Sequence, residues 1–328
     1  LNSLGYGPHR LLLDAVPEFM ARGGKPGRKL SKEILQNILS GSFEGTSNPD
    51  RTTITFHRGS LEATPYLKKI RKDAAQLLFK LFEASESTGE KTDVLSAIFH
   101  AFEIPDHGFA NEESERRYIE MVNSEAEDVV KKYNKIAFSK AGVLSKEYPL
   151  LYEIEHQMAW LRVWKYNAEG LDALLASLRS AESDYAFYRN IFGDIHDLNP
   201  RDGYETVRKA KEEATKIYLD TVDEKSSGEW YDRLRDIADF AKNSKEKNDW
   251  KFNHFREFLA RIGKYKPNVA DTILNTAFLK KDALYQLAGN ILYGLRLSSL
   301  ELWDKYAKRT AEDKSEELTM ALLVSFEF

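Results

Sequence analysis

Apolar residues recur at three-four spacing along most of this chain. In Trp230–Ala241 they are Trp230, Leu234, Ile237 and Ala241. In Phe252–Ile262 they are Phe252, Phe255, Leu259 and Ile262, and in Leu284–Leu295 they are Leu284, Leu287, Ile291 and Leu295. That spacing puts each set on one face of an α-helix. Helices of two to four turns are marginal alone in water and gain stability by burying their stripes against neighbours. The pattern predicts a stack of helical hairpins, an architecture that mostly binds other molecules.

The earlier part of the chain reads in the same way, with interruptions. Arg10–Arg22 is a helix that Pro17 kinks or ends. Gly23–Lys29 (GGKPGRK) reads as a loop, and Leu30–Leu39 as a short helix with Ile34, Leu35 and Ile38 on one side. Gly41–Asp50 has linker composition. Thr52–His57 (TTITFH) is the one good strand candidate, a connector or half of a hairpin. Thr64 followed by Pro65 marks a helix start, with a stripe of Leu67, Ile70, Ala74, Leu77 and Leu81. Thr92 and Asp93 start the next helix, which carries Val94, Ala97, Ile98 and Ala101. Helices are expected over Glu112–Lys140, over Tyr148–Tyr166 with Met158, Leu161 and Trp164 buried, over Leu171–Phe192 and over Tyr204–Val222. Turn residues crowd Asp194–Gly203 (DIHDLNPRDG), which suggests a boundary there. The expected organisation is an N-terminal helical segment and linker (1–58), a helical subdomain (59–198) and a repeat-like region (199–328). No strict sequence period is evident.

Composition narrows the classes. A chain of 328 residues suits two subdomains or one elongated array. It has no cysteine, which excludes disulfides, thiolate metal sites and cysteine nucleophiles within it. A net charge of −4 argues against a surface wholly given to nucleic acid. No uncharged apolar run approaches the roughly 18–20 residues of a membrane span, so no membrane partner is expected and a cytoplasmic setting fits. The chain opens on Leu1 and closes on the apolar run Leu322–Phe328 (LLVSFEF). It is therefore expected to be a segment of a larger polypeptide.

Candidate chemistry is sparse. Gly89-Glu90-Lys91-Thr92 resembles the tail of a phosphate-binding loop, but Glu90 splits the glycine from the lysine and the context is helical, so a capped turn is the simpler reading. Glu153 and His156 form one Glu-x-x-His without the second copy a di-iron bundle needs. The aromatics Trp160, Trp164, Tyr166, Tyr185, Phe187, Tyr188 and Phe192 fall at helical spacing and read as core. Asp194, His196 and Asp197 read as helix caps. Catalytic, cofactor and metal residues are therefore assigned to none. Arg22, Lys25, Arg28, Lys29 and Lys32 place five positive charges in a glycine-bearing stretch without an acid. They are the candidate nucleic-acid contacts. Leu322, Leu323, Val324, Phe326 and Phe328 are the candidate interface residues, since a bare apolar strip invites association.

Phe252–Ser299 carries a resemblance. The run FNHFREFLARIGKYKPNVADTILN, followed by LYQLAGNILYGLRLS, resembles helical repeats of large bacterial proteins. It is similar to the HEAT-like C-terminal arrays of anti-phage defence proteins, in which an effector or NTPase domain precedes an α-solenoid. The resemblance covers about 50 residues of ordinary core character and implies no catalytic residue. With the apolar spacing, the expected fold is all-α, an irregular HEAT-like α-solenoid of helical hairpins or an irregular all-α domain, with at most one short β hairpin near the N-terminal part, at Thr52–His57. The resemblance also implies a non-catalytic scaffold or sensor that binds a protein partner, or another domain of the same polypeptide, or a further copy of itself. The alternative is a helical nucleic-acid-binding module using residues 22–32. Any enzymatic activity of a longer parent would lie in an effector domain outside these residues.

Overall fold

A computed structural model describes residues 7–40, 42–47, 55–104, 109–140, 143–144, 147–164, 166, 168–179, 184–191, 203–243, 253–313 and 319. The fold is all-α, with two small antiparallel strand pairs among the described residues. The chain forms two compact units, Leu1–Ser180 and Ala181–Phe328. The turn-rich stretch at 194–202 lies outside the described residues.

The first unit opens with α1 (Gly7–Arg22) and α2 (Gly24–Leu39), separated by Gly23 alone. The expected loop at Gly23–Lys29 is thus a helix start, and Pro17 lies inside α1. The glycines are there for a tight corner. Gly24 has a φ of 52°, and a Cβ on Gly23 would lie 2.5 Å from the Gly27 Cα. Strand β1 (Ser42–Ser47) pairs antiparallel with β2 (Thr55–Ser60), from Ser42 opposite Ser60 to Ser47 opposite Thr55. The strand candidate is therefore half of a hairpin, and part of the expected linker supplies the other half.

Helix α3 (Pro65–Ala84) starts as the sequence suggested, with the Thr64 hydroxyl accepting from the Leu67 amide at 3.1 Å. Its buried stripe is Leu67, Ile70, Arg71, Ala74, Leu78 and Leu81. Leu78 takes the core place expected of Leu77, which is half-buried. Helix α4 (Thr88–Phe99) begins a turn before the expected Thr92, because Ser87 accepts from the Glu90 amide at 3.2 Å and caps it. Helix α5 (Glu112–Ala137) is capped by Asn111, with Glu112, Glu113 and Glu115 in its first turn, where the helix dipole favours them. It stops short of Lys140 because Phe138–Lys140 is a strand, β3, paired with β4 (Val143–Leu144). This second pairing is additional to the single hairpin expected; segments of two and three residues are too short to show a period. Helices α6 (Tyr148–Val163) and α7 (Leu171–Arg179) pack on α5 and on each other.

The helix expected over Leu171–Phe192 is two helices. One is α7 and the other is α8 (Asp184–Ile191), which belongs to the second unit.

The second unit continues with α9 (Tyr204–Thr221), α10 (Ser227–Asn243), α11 (Asn253–Tyr265), α12 (Pro267–Lys280), α13 (Ala283–Gln286), α14 (Ala288–Ser298) and α15 (Leu300–Asp313). Phe187 of α8 is its hub, meeting Tyr218 at 5.0 Å, Trp230 at 5.0 Å and Phe258 at 5.4 Å edge-on. The helix expected over Leu284–Leu295 is broken at Leu287, which is half-buried at the junction of α13 and α14. Asp282 caps α13 through the Leu284 amide at 3.1 Å.

Two successive hairpins, α11–α12 and α14–α15, keep one register. The end of α11 and both ends of α12 recur 33 residues later in α14 and α15. The buried Phe255, Phe258, Leu259 and Ile262 return at that spacing as Ala288, Ile291, Leu292 and Leu295, and Ile273 and Ala277 as Tyr306 and Thr310. Helix α11 packs directly on α14. Helices α12 and α15 run in the same direction. Asp271 meets Lys305 at 2.6 Å and Tyr306 at 2.7 Å, Asn275 meets Arg309 at 2.9 Å, and Lys281 meets Asp313 at 2.9 Å.

Candidate protein-binding surface

Each registered hairpin turns through a single residue, Lys266 in one and Ser299 in the other. Such short turns leave the flanking side chains no cover from the loop itself. Tyr265 is 56% exposed, Leu297 54% and Leu300 67%. The Ser298 hydroxyl donates to the Gly263 carbonyl at 2.9 Å, which fastens the second turn beside the first. Three large apolar side chains thus lie on two neighbouring turns of one unit. Lys264 lies over the Tyr265 ring, its Nζ 5.1 Å from the centroid, and adds positive charge to this edge. An edge of this composition can bury apolar area against a partner while keeping a charged rim. These residues were not singled out from sequence. The signal that finds them is the 33-residue register, which marks 264 with 297 and 265 with 298 as recurring exposed positions.

The five basic candidates gather around the α1–α2 corner, and the structure gives most of them acidic partners. Arg22 pairs with Glu18 at 2.7 Å within α1. Lys25 meets Glu90 at 3.3 Å, and Arg28 meets both Glu86 and Glu90 at 3.4 Å. Lys29 lies 3.9 Å from Glu33. Lys32 is close enough to His100 to oppose its protonation, although Glu103, bonded to the ring at 2.7 Å, outweighs it and raises the His100 pKa. The stretch carries no acid of its own, yet the α3–α4 turn and the start of α4 bring Glu86 and Glu90 to it. Glu90 sits at the centre. Burial pushes its carboxyl up, but the Glu86 amide, Lys25 and Arg28 outweigh that and hold it below the usual range.

The segment 89–92 is therefore the capped start of α4. Lys91 reaches Glu147 at 3.2 Å and lies over the Phe82 ring. Glu153 accepts from Gln157 at 2.6 Å, and Gln157 accepts in turn from Tyr133. The His156 ring packs between Phe99 and Trp160, with Nδ1 buried. Among the described residues no group of three or more His, Asp or Glu is placed to hold a metal ion. Tyr166, Tyr185, Phe187 and Tyr188 are core as expected. Trp164 corrects the expectation of burial: it stands past the end of α6, 37% exposed, stacked on Phe99 at 5.2 Å. Phe192, His196 and the tail residues Leu322, Leu323, Val324, Phe326 and Phe328 lie outside the described residues.

Sequence reasoning also passed over Arg71. It is completely buried in the first unit and ties four segments together. Its guanidinium donates to Glu125 of α5 at 2.8 Å, to the Ala101 carbonyl at 2.5 Å, to the Leu39 carbonyl at the end of α2 and to the Tyr118 hydroxyl at 3.4 Å. Burial alone would disfavour its charge, but Glu125 outweighs this and holds it more firmly protonated than usual. Tyr166 donates to the neighbouring Phe102 carbonyl at 2.5 Å, and burial pushes its own pKa up. With every guanidinium donor directed at chain atoms, this centre organises the unit and leaves no donor for a ligand. The clue in the sequence is an arginine three-four spaced with Leu67, Ala74 and Leu78.

Among the described residues no helix is long and apolar enough to cross a membrane. No family model, no curated protein and no solved structure matches the chain.

Proposed function

We propose that this chain is a non-catalytic, HEAT-like helical scaffold that holds a protein partner, or a neighbouring domain of its own polypeptide, at its hairpin turns. The observation that carries this reading is the 33-residue register of α11–α12 and α14–α15. Stacked hairpins of one register repeat their exposed positions side by side, which builds a continuous surface from short elements. Here the repeated turns carry Tyr265, Leu297 and Leu300. Membership of an anti-phage assembly rests on the resemblance of Phe252–Ser299 and belongs to the same proposal.

The test uses the full-length protein at native level in its own host. Tyr265→Glu, Leu297→Glu and Leu300→Glu are combined, and partners recovered by cross-linking are quantified against the unsubstituted protein. The expected result is an unchanged melting temperature with recovery of a defined partner down at least about fivefold, an effect near 1 kcal/mol of binding. Unchanged recovery would overturn the reading. The defence assignment is checked by phage plating on the same strains, where protection is expected to fall with partner recovery.

A further inference from the structure

The two registered turns are alike in length and unlike in charge. Lys264 and Lys266 flank Tyr265 on the α11–α12 turn, and their counterparts 33 residues on are Leu297 and Ser299. Lys264 is exposed and Lys266 half-buried. Lys264 lies over the Tyr265 ring, and among the described residues neither lysine meets a carboxylate. Other cations of the two hairpins are partnered: Arg261 by Glu257 at 2.5 Å, Lys305 by Asp271 at 2.6 Å and Lys308 by Asp304 at 2.5 Å. Two positive charges are thus left over where the large apolar side chains stand out.

Lys266 also stands where helix stability does not call for it. It is the N-cap of α12 and makes no side-chain capping bond, and a cation at a helix N-terminus opposes the dipole. Two acids belong to this end of the unit. The Glu224 carboxylate accepts from Asn268 at 2.8 Å. Glu301 lies just past Leu300 in the first turn of α15, where it suits that helix's dipole. The 2.9 Å bond from Ser298 to Gly263 joins the cationic turn to the apolar one, since Lys264 follows Gly263 and Leu297 precedes Ser298. The edge is therefore cationic at the α11–α12 turn and apolar, then acidic, at the α14–α15 turn.

We propose that the protein segment held at these turns is an acidic one, a proposal that rests on the scaffold reading. Its large apolar side chains cover Tyr265, Leu297 and Leu300, and its carboxylates reach Lys264 and Lys266. Charge complementarity selects this occupant. A basic segment would bring like charge against two lysines that have no counter-charge of their own, and a neutral one would desolvate them without a partner. Opposite charge speeds encounter and fixes orientation, while apolar contact supplies the buried area. Glu301 repels carboxylates at the far end of the edge and so turns those of the segment toward the α11–α12 turn.

The probes are two fluorescein-labelled helical peptides of about 16 residues, roughly four turns, with leucines along one face. Glutamates flank the leucines in one peptide and lysines in the other. Binding to the full chain is followed by anisotropy. The acidic peptide is expected to bind at least about tenfold tighter than the basic one, with the preference shrinking as salt rises. Lys264→Glu with Lys266→Glu is expected to reverse the preference at an unchanged melting temperature, and Lys264→Gln with Lys266→Gln to abolish it. No binding of the acidic peptide, equal binding of the two, or a preference that survives the lysine substitutions would overturn the proposal. So would binding to vesicles of phosphatidylserine and phosphatidylcholine, or self-association, that the same substitutions abolish, since a lipid surface or a second copy would then be the occupant. The Lys264→Glu, Lys266→Glu protein is also carried into the cross-linking experiment in the host, where partner recovery is expected to fall as in the Tyr265, Leu297 and Leu300 triple variant. Recovery lost in the triple variant but kept in the lysine variant overturns the acidic class alone. Recovery kept in both removes the scaffold reading itself.

Discussion

Gly263 of α11 and Gly294 of α14 face each other where the two helices cross, with no room for a side chain on either. A Cβ on Gly263 would fall against the Ile291 carbonyl and within 2.9 Å of the Leu295 amide nitrogen. One on Gly294 would fall against the Ala260 carbonyl and within 2.7 Å of the Lys264 nitrogen. The obstacles are backbone atoms, which cannot rotate away. Gly294→Ala is therefore expected to destabilise the second unit by about 3 kcal/mol, at the upper end of overpacking penalties. Denaturant unfolding of the variant against the parent checks this. Gly228→Ala supplies a comparison in the same unit, at a position where nothing lies within 4 Å of an added Cβ.

Arg71 and Glu125 make a different kind of contact, one whose worth depends on both partners. Removing the carboxylate alone leaves a buried guanidinium without its counter-charge, which costs about 3–5 kcal/mol. Replacing both with apolar residues removes the charge as well as its partner. Glu125→Ala is expected to cost more than Glu125→Leu combined with Arg71→Met. A double-mutant cycle by chemical denaturation measures the difference, and a double variant less stable than Glu125→Ala would contradict it.

These cases show which parts of the fold were legible in the sequence. Stripes such as Phe255, Leu259 and Ile262 were legible because helical periodicity acts within a dozen residues. The start of α3 was legible because Thr64 and Pro65 sit side by side. The helix break at Leu287 was not, since apolar spacing continues across it. The acidic partners of the basic stretch around Arg28 were not legible for a related reason. Glu86 in the α3–α4 turn and Glu90 in the first turn of α4 arrive from about 60 residues away along the chain. The Tyr265–Leu297–Leu300 edge needed the register between two hairpins, which is carried by burial and hardly by residue identity.

The α1–α2 corner separates two roles for glycine. Gly24 has a positive φ of 52° with nothing within 4 Å of an added Cβ, so it is required for backbone conformation alone. Gly27 has an ordinary φ, but its Cβ would run into the Phe19 carbonyl. Gly24→Ala is expected to cost about 1 kcal/mol, and Gly24→Asn less, because asparagine tolerates the left-handed region. Gly27→Ala is expected to cost about 2–3 kcal/mol, and its loss is not reduced by asparagine. Thermal unfolding of the three variants orders them. A Gly24 variant less stable than Gly27→Ala would refute the assignment of the corner to close approach.

Glu90 links this corner to pH. Its folded pKa is held below the ordinary carboxylate value of 4.5. Its contribution to stability is thus fully present above that ordinary value and is lost as pH falls through the depressed folded one. Glu90→Gln removes the charge at every pH. The melting temperature of the parent should exceed that of Glu90→Gln at pH 7, and the gap should narrow as pH falls below the ordinary carboxylate value of 4.5. Glu86→Gln serves as the comparison: Glu86 is largely exposed and pairs with Arg28, so screening by solvent leaves that surface pair a small effect. Salt separates the pair further, because surface attraction fades with ionic strength while the half-buried Arg28–Glu90 contact is screened less. A gap between the parent and Glu90→Gln that stays constant from pH 7 to pH 3 would mean that Glu90 acts through packing and capping alone.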